Sequence, residues 1–397
     1  MLTAAPGSRR VSAASLAPTA LAILAMGGAV AVVVNLLLHT ATSGSDLGAV
    51  LVPARALFHG AAPAPVDFVN YGAATFVVYL PLVVLPDWLV TPLTQVGDVA
   101  LVAWVLWAWG GADGERPSPW LAALLLSAPT MELVCIDQVN AAIALASLSL
   151  AIFLMIRSDR MVPGALLAVT AICRPLNAAV ALPALAFQHR RRRSLPATAV
   201  WAAVFVAAAA AVAWSWDHSL AADLLGTAAH RPLVGTAGFA RDLLGSWGLL
   251  ASLAVFAALA TALARRLEAS HSAADIAAIV LALSVIPVQL GGPYTAIYCF
   301  PLLARLAGRS HARGWVVGFS ALYAVVIQIN STLSATLPAS SELRQLMNVL
   351  YIFSPVFAAI VGVYCLARVP GPGLTPHALR PTACSQEGAG AVGRHEP

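Results

Sequence analysis

Charge is what this sequence has least of. Of its 397 residues only 10% are Asp, Glu, Lys or Arg, whereas 60% are hydrophobic, and the mean hydropathy is +0.84. A soluble domain carries about 25% charged residues. So few charges cannot cover a water-facing surface, which excludes a soluble enzyme, a disordered chain and a coiled coil. An integral membrane protein of many spans remains.

Other absences narrow the chemistry. Cys135, Cys173, Cys299, Cys365 and Cys384 include no Cys-x-x-Cys pair. Zinc and disulfide frameworks need closer spacing, so buried thiols are expected. A Gly-Lys-Thr pattern is missing, as is the metal-binding carboxylate pair of a soluble nucleotide-sugar enzyme. No metal or cofactor is expected. No convincing repeat relates the two halves, although transporters often have one. No small-residue cleavage site clearly follows the first apolar run, 16–38, so that run is expected to span.

The 22 basic residues exceed the 17 acidic ones by five, and the pI is about 9.2. The basic residues form short clusters between apolar runs: Arg9-Arg10, Arg157 with Arg160, Arg190 to Arg193, Arg265-Arg266, and Arg309 with Arg313. That is the pattern of cytoplasmic loops, not of nucleic-acid binding.

The apolar runs are 16–38, 71–86, 88–109, 119–135, 139–156, 163–187, 196–216, 247–264, 273–290, 294–308, 314–331 and 346–366. They are continuous and rich in Ala and Leu, unlike the alternating segments of barrel strands. They predict an all-α polytopic bundle of about 10–13 membrane helices, short or re-entrant ones included. With Arg9-Arg10 inside, both termini are cytoplasmic and residues 40–70 face outward. Segments 217–246, 332–345 and the Gly291-Gly292 turn also face outward. Run 163–187 lies between two inner clusters, so it must leave and return. Two short helices meeting near Arg174-Pro175 and lining a cavity fit it. Pro81, Pro86 and Pro92 divide 71–109 into one partial helix and one full span. Residues 1–366 read as one membrane domain with two long outer loops, 40–70 and 217–246. Residues 367–397 read as a disordered cytoplasmic tail.

Chemistry must then use the outer loops and polar residues facing the interior. Asp46 opens the first outer loop, and Leu47 to His59, carrying Arg55, predicts a helix on the membrane surface. A carboxylate there serves either as a general base or as the cap of that helix. Tyr71 closes the same loop, as a sugar-stacking ring or an interfacial anchor. Asp137, Gln138 and Asn140 sit together between apolar runs and either hold sugar hydroxyls or cap two helices. Glu132 lies close to the boundary or lines the cavity. Arg174 is an intramembrane cation, whose forked donors suit a phosphate, a buried carboxylate or a snorkelling position. Asp87 and Asp98 read as boundary and pore-facing residues without an assigned role. His218 and His230, in the second long loop, fit no strong metal spacing.

Taken in order, these landmarks resemble glycosyltransferase family 87, of the GT-C fold class. Its pattern opens with an outer-loop Asp, here Asp46, and a helix like Ala54-Arg55-Ala56-Leu57 ending in a glycine, here Gly60. A Phe-x-Tyr-Pro-Pro follows, met one residue off register at Asn70-Tyr71. Then come Pro81-Leu82 to Leu85-Pro86, Gln138-Val139-Asn140, an Arg174-Pro175 in the place of Lys-Pro, and the basic run 190–193. The resemblance covers residues 16–195. Two features depart from it: Gly72-Ala73 replaces Pro-Pro, and the family's later outer-side His has no clear counterpart.

The resemblance implies a membrane hexosyltransferase with its active site on the outer face of the cell membrane. Its donor would be a polyprenyl-phosphate sugar, with mannose the best-known sugar and arabinofuranose the other. The acceptor would be a hydroxyl of a glycolipid or polysaccharide, and no nucleic acid takes part. Asp46 becomes the expected base. Arg174, Tyr71, Gln138, Asn140, Asp137 and Arg55 become the expected donor and substrate contacts. A lipid or small-molecule transporter, or flippase, and an inactive scaffold of the same fold are the rival readings.

Overall fold

A computed structural model describes residues 26, 30, 46–60, 79–114, 117–128, 130–131, 150, 152, 161–173, 195–216, 236–287, 292–309, 312–338 and 340–368. The described residues are helical and contain no strand. The elements are α1 (Asp46–Phe58), α2 (Asp87–Gly110), α3 (Trp120–Leu125), α4 (Met161–Cys173) and α5 (Leu195–Trp216). Then come α6 (Thr236–Leu267), α7 (Ala273–Leu283), α8 (Gly292–Ala307), α9 (Arg313–Thr336) and α10 (Glu342–Ala367). Among the described residues, two stretches are long and apolar enough to cross a membrane, Asp87–Gly110 and Gly238–Leu267, the second interrupted by a bend at Gly245.

Local chemistry sets these boundaries. Pro86, with its fixed φ, precedes α2, and Asp87 places an anion on the positive end of the helix. Ser272 caps α7 by accepting from the Asp275 amide at 3.2 Å. Residues 79–83 form the short helical piece expected before α2.

Three spans differ from expectation. Run 119–135 breaks after α3. The Ser127 hydroxyl donates to the Leu124 carbonyl at 2.6 Å and Thr130 to the same oxygen at 3.2 Å. Those bonds compete with the helical ladder, and Pro129 cannot contribute one. Run 273–290 leaves the helix after Leu283, and its residues 284–287 form turns. The Ser284 hydroxyl turns back onto the Leu281 carbonyl at 2.5 Å, shortly before Pro287. The expected outer loop 217–246 is helical from Thr236, eleven residues before the expected span at 247.

That early helix doubles back at Gly245, whose φ of 62° and ψ of −152° suit only glycine. Thr236 reaches the Ser252 hydroxyl at 3.4 Å across the bend and donates its amide to the Ile286 carbonyl at 3.2 Å.

The main core is built around α8. Helix α8 packs on α2, α3, α7, α9 and α10, and α7 also packs on α6 and α10. Helix α7 is buried continuously from Ala274 to Ala282, as suits an apolar helix surrounded on all sides. Helices α4 and α5 form a close pair. A methyl group on Gly164 would lie 2.6 Å from the Trp201 Cβ and 2.9 Å from the Thr198 carbonyl oxygen. The second of these is backbone and cannot swing aside. Gly164→Val is therefore expected to separate α4 from α5 at a cost of roughly 1–3 kcal/mol. Heating detergent-solubilised protein and measuring the surviving monodisperse fraction checks this. A variant as heat-resistant as the parent would show that the two helices are not in close contact.

Candidate functional site

Polar side chains gather at the two ends of α2. At its first residue, Asp87 pairs with Arg55 of α1, Arg55 Nη1 lying 2.5 Å from Asp87 Oδ1. Arg55 Nη2 also donates to the Leu85 carbonyl in a long contact of 3.5 Å. Beneath this pair lies a separate apolar cluster. Leu47, Val50, Leu51 and Ala54 of α1 pack with Tyr79, Val83 and Val90. Their spacing of three and four residues is one helical seam. Helix α1 therefore lies against the start of α2, with Asp46 as its first residue. Trp88, Val84 and Phe58 are exposed beside it, and an aromatic at such a junction suits the lipid–water boundary.

The other end of α2 carries a buried network. Arg305, in the last turn of α8, donates from Nε to Asp275 Oδ1 at 2.8 Å and from Nη1 to the Trp109 carbonyl at 3.3 Å. It also pairs with Asp113 just beyond α2. Arg309 donates to the second Asp275 oxygen at 2.7 Å. The Asp275 side chain is 0% exposed and that of Arg305 3%. Charges this deep persist only when paired and hydrogen-bonded. Here each carboxylate oxygen of Asp275 has its own guanidinium, and Arg305 spreads three contacts over two carboxylates and a carbonyl.

More arginines share this end. Arg265 and Arg266 close α6 just before the turn into α7. Arg313 begins α9 and donates to the Ala307 carbonyl at 3.3 Å. The C-terminus of α10 is held here as well, because His271 Nε2 lies 3.1 Å from the Leu366 carbonyl oxygen. Arg368 follows α10, with its guanidinium over the Tyr364 ring at 4.2 Å. Helices α2, α6, α8 and α10 thus end on one side of the molecule, and α7 and α9 begin there. Arg55, Asp87 and the Thr236–Ile286 junction lie toward the opposite side.

Of the expected site residues, the structure describes the backbone of Asp46 and the whole of Arg55. Tyr71, Glu132, Asp137, Gln138, Asn140 and Arg174 lie outside the described residues, as do His218, His230 and the run 190–193. Arg55, an expected donor contact, pairs with Asp87 and donates to the Leu85 carbonyl. Asp87 is the first residue of α2, with its side chain 80% exposed. Asp98 is buried at the middle of α2, on the same face as Val90, Thr94, Val102 and Trp109. The network of Asp113, Asp275 and Arg305 was not anticipated. Its legible signs were a Ser272-x-x-Asp275 cap motif opening an apolar run, and Arg305 and Arg309 four residues apart near a helix end.

So little charge, described residues that are helical, and two apolar helices of spanning length among them are features of a membrane protein. Its family is given by a match to the model of glycosyltransferase family 87 over residues 68–288. That stretch is more than half of the 397 residues, and the chain belongs to this family. No curated protein and no solved structure matches it. The family makes the protein a membrane glycosyltransferase, which takes a sugar donor and an acceptor. The matched segment contains Tyr71, Pro81 to Pro86, Asp137 to Asn140, Arg174, Asp275 and the Gly245 bend, whereas Asp46 and Arg55 precede it.

The two ion-pair sites differ in energy. Asp275→Ala would remove the buried carboxylate that two guanidinium groups share, leaving Asp113 as the carboxylate on Arg305, a loss of about 3–5 kcal/mol. Asp242, exposed beside Arg241 at 3.2 Å, serves as the control, with Asp242→Ala expected within about 0.5 kcal/mol of the parent. Thermal inactivation of donor-independent ligand-free protein, followed by size-exclusion chromatography, measures both. Equal midpoints for the two variants would refute the structural weight given to Asp275.

Proposed function

We propose that the protein moves a hexose, mannose in the first instance, from a polyprenyl phosphate to an acceptor hydroxyl outside the membrane. The observation that carries this reading is the family match over residues 68–288. The segregation of charge between the two sides of the molecule supports the orientation. The arginine-rich side, with Arg265, Arg266, Arg305, Arg309 and Arg313, is cytoplasmic by the positive-inside rule. Helix α2 has 24 residues, or about 36 Å at 1.5 Å per residue, enough to cross the hydrocarbon. Asp46 and Arg55 then belong to the outer face.

In the proposed reaction the polyprenyl tail enters between helices and its phosphate meets Arg174. Tyr71, Asp137, Gln138 and Asn140 hold the sugar and the acceptor under the segment 40–70. Asp46 takes the proton of the acceptor hydroxyl as that oxygen attacks the anomeric carbon. The bond from the anomeric carbon to the phosphate oxygen breaks, and its electron pair leaves with polyprenyl phosphate. Attack opposite the leaving group inverts the anomeric centre. The leaving phosphate departs as a stable anion and needs no acid, while a guanidinium beside it favours the charge that develops. The acceptor is a glycolipid or polysaccharide of the cell envelope. The chain is a multi-pass bundle with both termini cytoplasmic.

A general base contributes about 100- to 10,000-fold, so Asp46→Asn should lower kcat by that range at normal expression. Transfer from radiolabelled polyprenyl-phosphate mannose in membranes measures it, and undiminished transfer removes Asp46 from the reaction. Arg174→Leu should raise KM for the donor at least tenfold and leave KM for the acceptor nearly unchanged. Equal changes in both would assign Arg174 a structural role.

A further inference from the structure

We infer that Arg55 is a positioning residue. With Asp87 it forms a tether that fixes the rotation of α1, and so the location of Asp46, against the outer end of α2. The inference rests on the proposed role of Asp46 as the base.

The argument starts from the geometry of a single seam. Helix α1 is 13 residues long and contacts the described remainder of the molecule through Leu47, Val50, Leu51 and Ala54. An apolar seam holds a helix down but resists rolling weakly, because hydrophobic contact is not directional. Successive helical residues lie about 100° apart, so position 46 falls about a quarter-turn to one side of the seam and position 55 about a quarter-turn to the other. A tether at Arg55 therefore opposes the rolling that would displace position 46. With a helix radius of about 5–6 Å including side chains, a roll of about 20° moves the rim by about 2 Å. A misplacement of about 1 Å can cost a hundredfold in rate.

The guanidinium suits this task. One nitrogen pairs with the Asp87 carboxylate and another reaches the Leu85 carbonyl. Leu85 lies just before Pro86, at the junction between helical residues 79–83 and α2. Arg55 thereby ties α1 to both sides of that junction. A lysine ammonium would lack the planar fork that lets one side chain hold two acceptors at fixed angles.

The test uses the full-length protein in lipid nanodiscs, with the variants Arg55→Asp and Asp87→Arg and the double exchange. Synthetic polyprenyl-phosphate mannose is the donor. Each single variant is expected to lower kcat about tenfold, with donor KM within twofold of the parent. The double exchange is expected to recover most of the rate. Amide hydrogen exchange over residues 46–58 should accelerate in the single variants and slow again in the double, while residues 298–307 of α8 stay protected as a control for folding. A raised donor KM in Arg55→Asp, with Asp87→Arg unaffected and no recovery in the double, would overturn the inference and make Arg55 a donor ligand. Should the parent show no transfer at all, the proposed function fails separately. The exchange measurements still decide the tether: loss and recovery of protection uphold it, and unchanged protection refutes it.

Discussion

Asp275 is a carboxylate with no exposed surface, and the helices around it are arranged so that it is never without a counter-charge. Its two oxygens face Arg305 and Arg309. Arg305 in turn engages Asp113 and the Trp109 carbonyl at the end of α2. Burying such charges is costly, and removing one partner costs more than the pair contributes. The arrangement therefore holds α2, α7 and α8 in one relative placement. The buried helix α7 could not otherwise carry a charge in its first turn.

Helix α2 connects this network to the opposite side of the molecule. There the interaction is of another kind: a partly exposed ion pair over a small apolar seam, holding α1 against the first residues of α2. The buried network contributes mainly to keeping helices together. The exposed pair is weak as a source of stability, and its effect is directional. The bend at Gly245 adds a second surface feature, since Phe239, Leu243, Leu244 and Trp247 are exposed around it.

Much of the helical plan is legible in the sequence. Helix α2 follows run 88–109, α5 follows 196–216 and α8 follows 294–308 to within about two residues, because apolar length and flanking prolines act locally. The helix after Asp46 is legible for the same reason. Less legible were the stops inside apolar runs. At Leu124 and Leu281 the chain is apolar enough to continue, but serine and threonine hydroxyls take the carbonyls that the helix would use. The early start of α6 at Thr236 was also hidden. A helix that turns back on itself at a glycine mixes polar and apolar residues, and so resembles a loop.

Sequence alone determined the class. A content of 10% charged residues points to a membrane protein, and the order of Asp46, Tyr71, Pro81 to Pro86, Gln138 and Arg174 resembles the family that residues 68–288 match. Those properties depend on composition and on neighbours along the chain. Which charge meets which was decided by tertiary structure. Arg55 and Asp87 are 32 positions apart and Asp113 and Arg305 are 192 apart. No local pattern can specify pairs at such distances, because they form only when packed helices bring the ends of distant segments to the same side.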